Sequence, residues 1–378
     1  MDKNSIVELG PPRLGQAEKD ALNAVIDSGW ITMGDRVRQF ETAFGQLHQT
    51  DQENAVAVSS ATAALHLSLV ALGVGAGDEV LVPSMTFVAT VNTVMHAGAD
   101  PVFVDVESAV RPHMSLADAE AKVTDRTRAV VIMHYGGYMM DVAEWRRFAD
   151  KHDLFLIEDA AHVAGVPAAG HGSDAAAFSF FGNKNMTTAE GGMVLLRDSG
   201  VAERVRKMRT HGMTSVTLDR VRGRAVSYDV VECGYNYRID ELRAALGLVQ
   251  LEELPGWNDK RVAIIGEYRT ALGASVDTMV VPFDGDHVSS GHIMPTVLPA
   301  DTDRLAVMEH LKSEGIQSSI HYPPVHTFSY FLERFGEISL PNTEEFGARQ
   351  LTLPLHPGLD SYDVTRVVTA VKDALGKS

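Results

Sequence analysis

The sequence predicts an α/β protein with a large domain built on a seven-stranded, mainly parallel sheet and a smaller α+β domain after it. Short apolar runs alternate with longer amphipathic segments from Asn54 to Leu196, which is the pattern of a doubly wound sheet. After Trp257 the order changes to helix, strand, helix, strand, helix. A chain of 378 residues also exceeds the roughly 250–300 residues above which a second domain is expected.

Seven apolar runs predict the strands of the large sheet. They are Ala55–Val58, Glu79–Pro83, Pro101–Val106, Arg128–Met133, Leu154–Asp159, Ala175–Phe180 and Gly192–Leu196. The helices between and after them are predicted at Ala61–Leu72, Thr86–Ala97, Ser115–Lys122, Asp141–His152 and Ala202–Arg209. Before the first strand, Val37, Phe40 and Phe44 recur at helical spacing.

The smaller domain is predicted to begin near residue 255. A helix over Asp240–Leu254 is predicted to end at Pro255 and Gly256. We therefore divide the chain into a large domain, 1–254, and a small domain, 255–378. The small domain is predicted to contain the strands His292–Leu298 and Gln317–His321 and the helices Asp303–Glu314 and Tyr362–Leu375. The polar stretch Asp219–Arg224 is the best candidate for a mobile loop.

The composition narrows the class of protein. The chain has 45% hydrophobic and 22% charged residues, which is typical of a soluble globular protein. No run reaches the roughly 18 apolar residues of a membrane span, and the first residues do not resemble a signal peptide. We expect a cytoplasmic protein. A net charge of −17 disfavours binding to nucleic acid or to anionic membranes. Cys233 is the single cysteine, and no Cys/His cluster has metal-ligand spacing, so no metal site is expected.

Small and hydroxylated residues follow the first predicted strand and open a helix. In the run 59–65, which contains Ala61 and Thr62, small side chains let a phosphate approach the unpaired N–H groups of a first helical turn. A helix N-cap explains the same residues without a ligand. Similarly, Phe87 near the start of a later helix stacks on an aromatic ligand or packs in the core.

Two carboxylates end the fifth predicted strand. Glu158 and Asp159 follow bulky apolar residues, and His162 comes three positions after Asp159. A buried charge needs a partner, and a protonated heterocyclic nitrogen is as good a partner as a structural cap. His162 is a core histidine or a donor to a ligand oxygen.

A lysine surrounded by aromatic, small and hydroxylated residues follows the sixth predicted strand. Lys184 lies between Ser179 and the pair Gly191 and Gly192. If its amine is partly desolvated, its pKa falls and it can react as a nucleophile, whereas in an ordinary loop it reaches water. One ligand would use all four groups predicted at the strand ends, namely the phosphate site, the aromatic face, the acidic partner and the amine. That ligand is pyridoxal 5'-phosphate.

The order of motifs resembles the DegT/DnrJ/StrS family of sugar aminotransferases, which are fold-type I pyridoxal-phosphate enzymes. The resemblance covers nearly the whole chain. It rests on the segments 28–30, 158–162, 179–184, 188–192, 234–238 and 321–324.

The resemblance implies roles for the residues around the cofactor ring. Lys184 would bond covalently to the cofactor aldehyde and serve as the catalytic base and acid. Asp159 would pair with the ring nitrogen and keep it protonated. His162 would approach the ring hydroxyl, and Phe87 would stack on the ring face.

The resemblance also implies a shared phosphate site in a homodimer. Ala61, Thr62 and Ser179 would hold the phosphate of their own subunit. In this family the segment that matches 234–238 reaches into the neighbouring active site. Asn236 and Arg238 are therefore expected to touch the partner's cofactor phosphate.

Four positions depart from the family pattern. Ala61 and Ala189 stand where glycine is usual, and Gly182 with Asn183 replaces the residues that more often precede the lysine. Some relatives carry histidine at the lysine position and perform dehydration. The presence of Lys184 favours transamination.

The implied reaction moves an amino group from an amino acid, glutamate being the first choice, to a keto-sugar. A nucleotide-linked keto-sugar is the leading acceptor and a keto-inositol of aminoglycoside assembly is the alternative. His321 and Tyr322 are candidate sugar contacts, and the candidate cations for a diphosphate are Arg209, Arg224, Arg238 and Lys260. A non-catalytic protein that binds the cofactor is the alternative from another class.

Overall fold

The protein is described here by a computed structural model that covers residues 6–215, 223, 226–276, 279–283 and 287–376. The predicted mobile loop Asp219–Arg224, apart from Gly223, lies outside the described residues, and so does the candidate cation Arg224.

All seven predicted strands form one sheet, in the order β1-β9-β8-β7-β6-β2-β3. Strand β9 runs antiparallel to both of its neighbours, and the other neighbours pair in parallel. The prediction of a mainly parallel sheet is confirmed. The strands are β1 (Ala55–Val58), β2 (Glu79–Pro83), β3 (Asp100–Val104), β4 (Val106–Ser108), β5 (Arg111–Met114), β6 (Thr127–Met133), β7 (Phe155–Asp159), β8 (Ala175–Ser179), β9 (Gly192–Leu196), β10 (Met294–Val297) and β11 (Gln350–Leu353). Strands β4 and β5 form a hairpin outside the main sheet.

Helices cover the large sheet and build most of the C-terminal part. They are α1 (Gln16–Ser28), α2 (Asp35–Leu47), α3 (Ala61–Ala71), α4 (Val88–His96), α5 (Leu116–Ala121), α6 (Val142–Lys151), α7 (Ser199–Met208), α8 (Glu241–Ser275), α9 (Arg304–Ser313), α10 (Ser329–Phe335), α11 (Pro341–Arg349) and α12 (Ser361–Leu375). In the described part of the chain, no helix combines the length and the apolar character that crossing a membrane requires.

The large sheet is buried on both faces, as its continuous apolar strands indicate. In β8, Ala175 and Ala177 join the core beneath α3, whereas Ala176 and Phe178 join the core on the opposite face. On that face Phe178 packs edge-on against Phe44 of α2, with ring centroids 5.0 Å apart. The alternation fixes which side chain at each strand end can face a ligand.

The prediction that a helix ends at Pro255 is wrong, because α8 runs from Glu241 to Ser275 with Pro255 inside it. Proline removes one helical hydrogen bond, at a cost of about 3 kcal/mol. The helix continues because both of its halves are buried: Leu254 packs in the core of the large sheet, and Tyr268 packs against β10 and β11. The helix therefore crosses the predicted domain boundary, and the division into 1–254 and 255–378 remains a prediction.

The predicted strand Gln317–His321 is also wrong. Gln317 donates its N–H to the Val7 carbonyl at 3.0 Å, and Ser319 makes an isolated bridge with Thr352 on another segment, so the contacts do not continue into a ladder. The strand that pairs with β10 is β11, in antiparallel register from Met294↔Leu353 to Val297↔Gln350.

Candidate active site

A cavity of about 430 Å³ lies at the carboxyl ends of the sheet strands. It is the place where a doubly wound sheet binds its ligands. Most of the predicted site residues line it. They are Ala61, Thr62, Phe87, Asp159, His162, Ser179, Lys184, His321 and Tyr322.

Asp159, the last residue of β7, is almost fully buried at 4% exposure. Its Oδ2 accepts a hydrogen bond from Thr90 Oγ1 at 2.6 Å, and Oδ1 accepts one from the Ala161 N–H at 3.1 Å. Thr86 continues this series of hydrogen bonds, because its hydroxyl lies 2.7 Å from the hydroxyl of Thr90. These bonds hold the carboxylate in one orientation at the cavity wall.

Glu158, beside Asp159, points to the other face of the sheet and has a structural partner. Its Oε2 lies 2.7 Å from His134 Nε2, and both side chains are fully buried. Because His134 Nδ1 accepts the Met140 N–H at 3.1 Å, the ring proton lies on Nε2 and is donated to Glu158. Of the two carboxylates that the sequence places together, only Asp159 lines the cavity.

His162 presents a defined donor to the cavity. Its Nδ1 accepts the Gly136 N–H at 3.2 Å, and its Nε2 lies 3.0 Å from the Tyr322 hydroxyl. Burial, followed by the positive charge of Lys184, holds the pKa of His162 well below its usual value. The ring is therefore neutral with its proton on Nε2, which donates to the Tyr322 hydroxyl here and would donate to a ligand oxygen that takes the place of that hydroxyl.

Lys184 lies in the loop that joins β8 to β9. The loop is closed by backbone hydrogen bonds from Phe180 to Gly191 and from Thr188 to Phe180, both at 2.9 Å. Burial lowers the pKa of Lys184 from 10.5 to about 8, and the negative charge of Asp159 opposes that shift. The amine thus has an appreciable unprotonated fraction near neutral pH, which is the reactive form of a lysine.

The first turn of α3 offers an anion site. Ser60 is the N-cap of α3, and its Oγ accepts the Ala63 N–H at 3.1 Å. The N–H groups of Ala61 and Thr62 have no helical carbonyl to bond to, so they remain for a ligand, and Ser179 adds a hydroxyl across the cavity. Gly192 packs so tightly here that a Cβ would lie 2.5 Å from the Ser60 carbonyl carbon.

Aromatic side chains form the remaining wall. Phe87 is 55% exposed, and its ring centroid lies 5.7 Å from that of Tyr322. An aromatic ring this exposed is not in the core, which favours the ligand-stacking alternative over core packing. His321 is next to Tyr322, and burial lowers the pKa of His321 to about 4, so this ring is neutral as well.

Asn236 and Arg238 do not line the cavity of their own chain in the described structure. Asn236 is exposed and makes a bridge to Thr210. Of the candidate cations, Arg209 is buried in an ion pair with Glu41 at 2.6 Å.

Lys260 is an exposed residue of α8, and neither it nor Arg209 lines the cavity. Their role as diphosphate contacts stays a prediction.

The sequence did not predict Thr90 or Asn185 as site residues. Thr90 orients Asp159, and Asn185 anchors the Lys184 loop through three buried hydrogen bonds. The position of Thr90, one helical turn after Phe87, is a sequence signal for a site residue. The signal does not reveal its partner, because Asp159 is 69 positions away in the chain. An asparagine beside a lysine carries no such signal.

These side chains fit pyridoxal phosphate by their chemistry. A carboxylate held at one wall suits a ring nitrogen, and an amine of lowered pKa suits an aldehyde. A neutral imidazole N–H suits a ring oxygen, and a free helix N-terminus suits a phosphate. In the described residues, no group of three or more His, Cys, Asp or Glu side chains is arranged to hold a metal ion.

Comparison with known proteins agrees with this geometry. Residues 12–372 match the model of the DegT/DnrJ/EryC1/StrS aminotransferase family. The aminotransferase TlmJ from Streptoalloteichus hindustanus is 33% identical, with a TM-score of 0.90 over 99% of this chain and 100% of that chain. Helicobacter pylori PseC, an aminotransferase involved in the biosynthesis of pseudoaminic acid, is 26% identical, with a TM-score of 0.91 over 99% and 100%.

A third similar structure is a putative sugar aminotransferase, Spr1654 from Streptococcus pneumoniae. Its PMP form is 28% identical, with a TM-score of 0.91 over 98% of this chain and 99% of that chain. The same protein has also been solved in a PLP form.

Proposed function

The chain belongs to the DegT/DnrJ/EryC1/StrS aminotransferase family, and we propose that it transfers an amino group from glutamate to the carbonyl carbon of a nucleotide-linked keto-sugar. As a member of this family it is a pyridoxal-phosphate-dependent aminotransferase. One observation carries the assignment of the site: Lys184, whose pKa is lowered to about 8, shares a cavity with the buried carboxylate of Asp159.

Three residues of this chain would have separate roles in the reaction. When bound, pyridoxal phosphate supplies an aldehyde that takes the amino group and a ring that accepts electrons from the donor α-carbon. Lys184 would bind the aldehyde and, once displaced, move the proton between the donor α-carbon and the cofactor. Asp159 would keep the ring nitrogen protonated, and His162 Nε2 would donate to the ring oxygen.

The keto-sugar acceptor is supported by the similar proteins, since one of them is a putative sugar aminotransferase. Among the described residues that line the cavity, Lys184 is the only lysine or arginine, and Glu190 adds a negative charge. A diphosphate would therefore take its cations from elsewhere. This observation favours a second candidate, an uncharged keto-cyclitol.

We further propose a homodimer in which Asn236 and Arg238 reach the partner's cofactor phosphate. Asn236 is exposed and lies outside the cavity of its own chain. Exposed apolar side chains at Val226, Tyr228 and Val231 precede it, and exposed apolar groups in one segment mark an interface.

The test of the function is a half-reaction with glutamate, followed by the absorbance of the bound cofactor. The wild-type protein converts the cofactor to its amine form, and Lys184→Ala does not. Asp159→Ala is expected to bind the cofactor weakly and to react slowly. A wild-type protein that binds the cofactor without converting it is the non-catalytic alternative. Parallel turnover assays with a nucleotide keto-sugar and with scyllo-inosose then separate the two acceptors.

The shared site has its own test. Mixing inactive Lys184→Ala and Asn236→Ala subunits under exchange conditions restores one complete site in each mixed dimer, or about a quarter of all sites. If each subunit held a complete site alone, mixing would restore no activity.

A further inference from the structure

Asn185, the residue after Lys184, is a buried asparagine that joins three parts of the chain. Its side chain is 4% exposed. Nδ2 donates to Asn258 Oδ1 at 2.8 Å and to the Ser290 carbonyl at 2.9 Å. Oδ1 lies 2.9 Å from His292 Nδ1. Because an amide oxygen only accepts, His292 carries its proton on Nδ1, and both amide hydrogens and the oxygen of Asn185 are used.

Each partner of Asn185 leads to the segment after β7 that carries His162. Asn258 Nδ2 donates to the Ala164 carbonyl at 2.9 Å, and Ser290 Oγ donates to the His162 carbonyl at 2.5 Å. The His292 ring centroid lies 4.2 Å from that of His162. The network therefore joins the Lys184 loop to the His162 segment by three routes.

The charge state of His292 suits this arrangement. Burial, followed by the positive charge of Lys184, holds the pKa of His292 well below its usual value. A neutral ring donates one hydrogen bond to Asn185 and adds no second positive charge next to the Lys184 amine.

We propose that Asn185 is a positioning residue for the reaction: held by His292, Asn258 and Ser290, it fixes the Lys184 amine in register with His162 and Asp159. The proposal rests on the proposed role of Lys184 as the residue that binds the cofactor. Misplacement of a reacting group by about 1 Å can lower a rate roughly 100-fold. Asn185 itself lies behind the cavity and need not touch the cofactor or the substrate.

The experiment uses three variants in the cofactor-loaded protein. Asn185→Ala removes the whole network, and His292→Phe keeps a ring but removes the Nδ1 donor. His292→Asn returns an amide N–H near the position of Nδ1. The glutamate half-reaction is followed by absorbance, to give its rate constant and the apparent KM for glutamate. We expect the rate constant to fall about 10- to 100-fold in the first two variants with KM changed less than about 3-fold, and His292→Asn to recover part of the loss.

A second measurement needs no activity of the loaded enzyme. In the cofactor-free protein, the acetylation rate of Lys184 is measured by mass spectrometry relative to that of Lys260, which is exposed on α8. We expect the ratio to change at least about 3-fold in Asn185→Ala and His292→Phe, because the amine is no longer held in one environment. Asn54→Ala, which truncates another buried asparagine at the N-terminal end of β1, is the matched control and leaves the ratio unchanged.

The outcomes separate this inference from the proposed function. The double variant Asn185→Ala with His292→Phe should be no slower than the slower single variant, because both remove the bond between Asn185 and His292 and Asn185→Ala already removes the other two bonds of the network. Wild-type rates in folded Asn185→Ala and His292→Phe proteins, or effects that multiply, contradict the positioning role. If Asn185→Ala does not fold, equal rates for His292→Phe and His292→Asn contradict it. An unreactive wild-type protein or an active Lys184→Ala variant contradicts the proposed function instead.

Discussion

The lowered pKa of Lys184 makes a quantitative prediction about the cofactor-free protein. Unfolding returns this pKa from about 8 to 10.5. Because the unfolded chain binds the proton more tightly, stability rises with pH through this range. A shift of this size corresponds to about 3 kcal/mol at 1.36 kcal/mol per pH unit, an upper value because water can enter the cavity beside the amine. The penalty is fully present below about pH 8 and is lost as the pH approaches 10.5.

Lys184→Met, which has a similar length and no charge, removes this penalty. We expect the cofactor-free variant to be more stable than the wild type by up to about 3 kcal/mol at pH 7 and by up to about 2 kcal/mol at pH 9. Urea unfolding at equal protein concentration measures both differences, and Lys260→Met is the control for loss of an exposed lysine.

The pH dependence of the difference is the decisive result. A Lys184→Met protein that is equally stable or less stable than the wild type at pH 7 refutes the reasoning. A difference that is the same at pH 7 and pH 9 refutes it as well, because a change in packing alone does not titrate.

Three further predictions concern stability and cofactor binding. Ala189 has a φ of 66°, a region that favours glycine, so Ala189→Gly should raise the unfolding free energy in urea by about 1 kcal/mol; an unchanged value contradicts this. Gly192→Ala places a Cβ 2.5 Å from the backbone before α3 and should cost about 1–3 kcal/mol and weaken cofactor binding in a fluorescence titration. The control Gly273→Ala, in open space on α8, should do neither. Glu41→Ala leaves buried Arg209 without its ion-pair partner and should cost about 3–5 kcal/mol in thermal or urea unfolding, while a loss below about 1 kcal/mol would show that the pair is solvated.

Much of the large domain follows from local patterns. Seven apolar runs become the seven strands of one sheet, because strands buried on both faces need continuous apolar residues whatever they pair with. The run 59–65 is predicted as a helix N-cap or a phosphate site, and the two are compatible: the Ser60 hydroxyl caps Ala63 and leaves the N–H groups of Ala61 and Thr62 for a ligand. These properties depend on residues within a few positions of one another.

The long helix shows where local patterns fail. Pro255 is a strong helix-breaking signal, yet α8 continues for twenty residues beyond it, to Ser275. Burial of both halves outweighs the loss of one hydrogen bond. The same limit explains the missing strand at Gln317–His321, whose partners are Val7 on one side and Thr352 on the other.

The sequence by itself determined the fold class and the approximate positions of the strands, since the periodicity of burial is a local property. The prediction of Lys184 as the reactive amine and Asp159 as its acidic partner likewise rests on the residues themselves and on the motifs around them. Only the tertiary structure decided how these groups are held. Thr90 meets Asp159 across 69 positions and Asn185 meets His292 across 107, and hydrogen bonds that span such distances depend on the packing of whole elements. It also separated Glu158 from Asp159, because adjacent residues of a strand face opposite sides of the sheet.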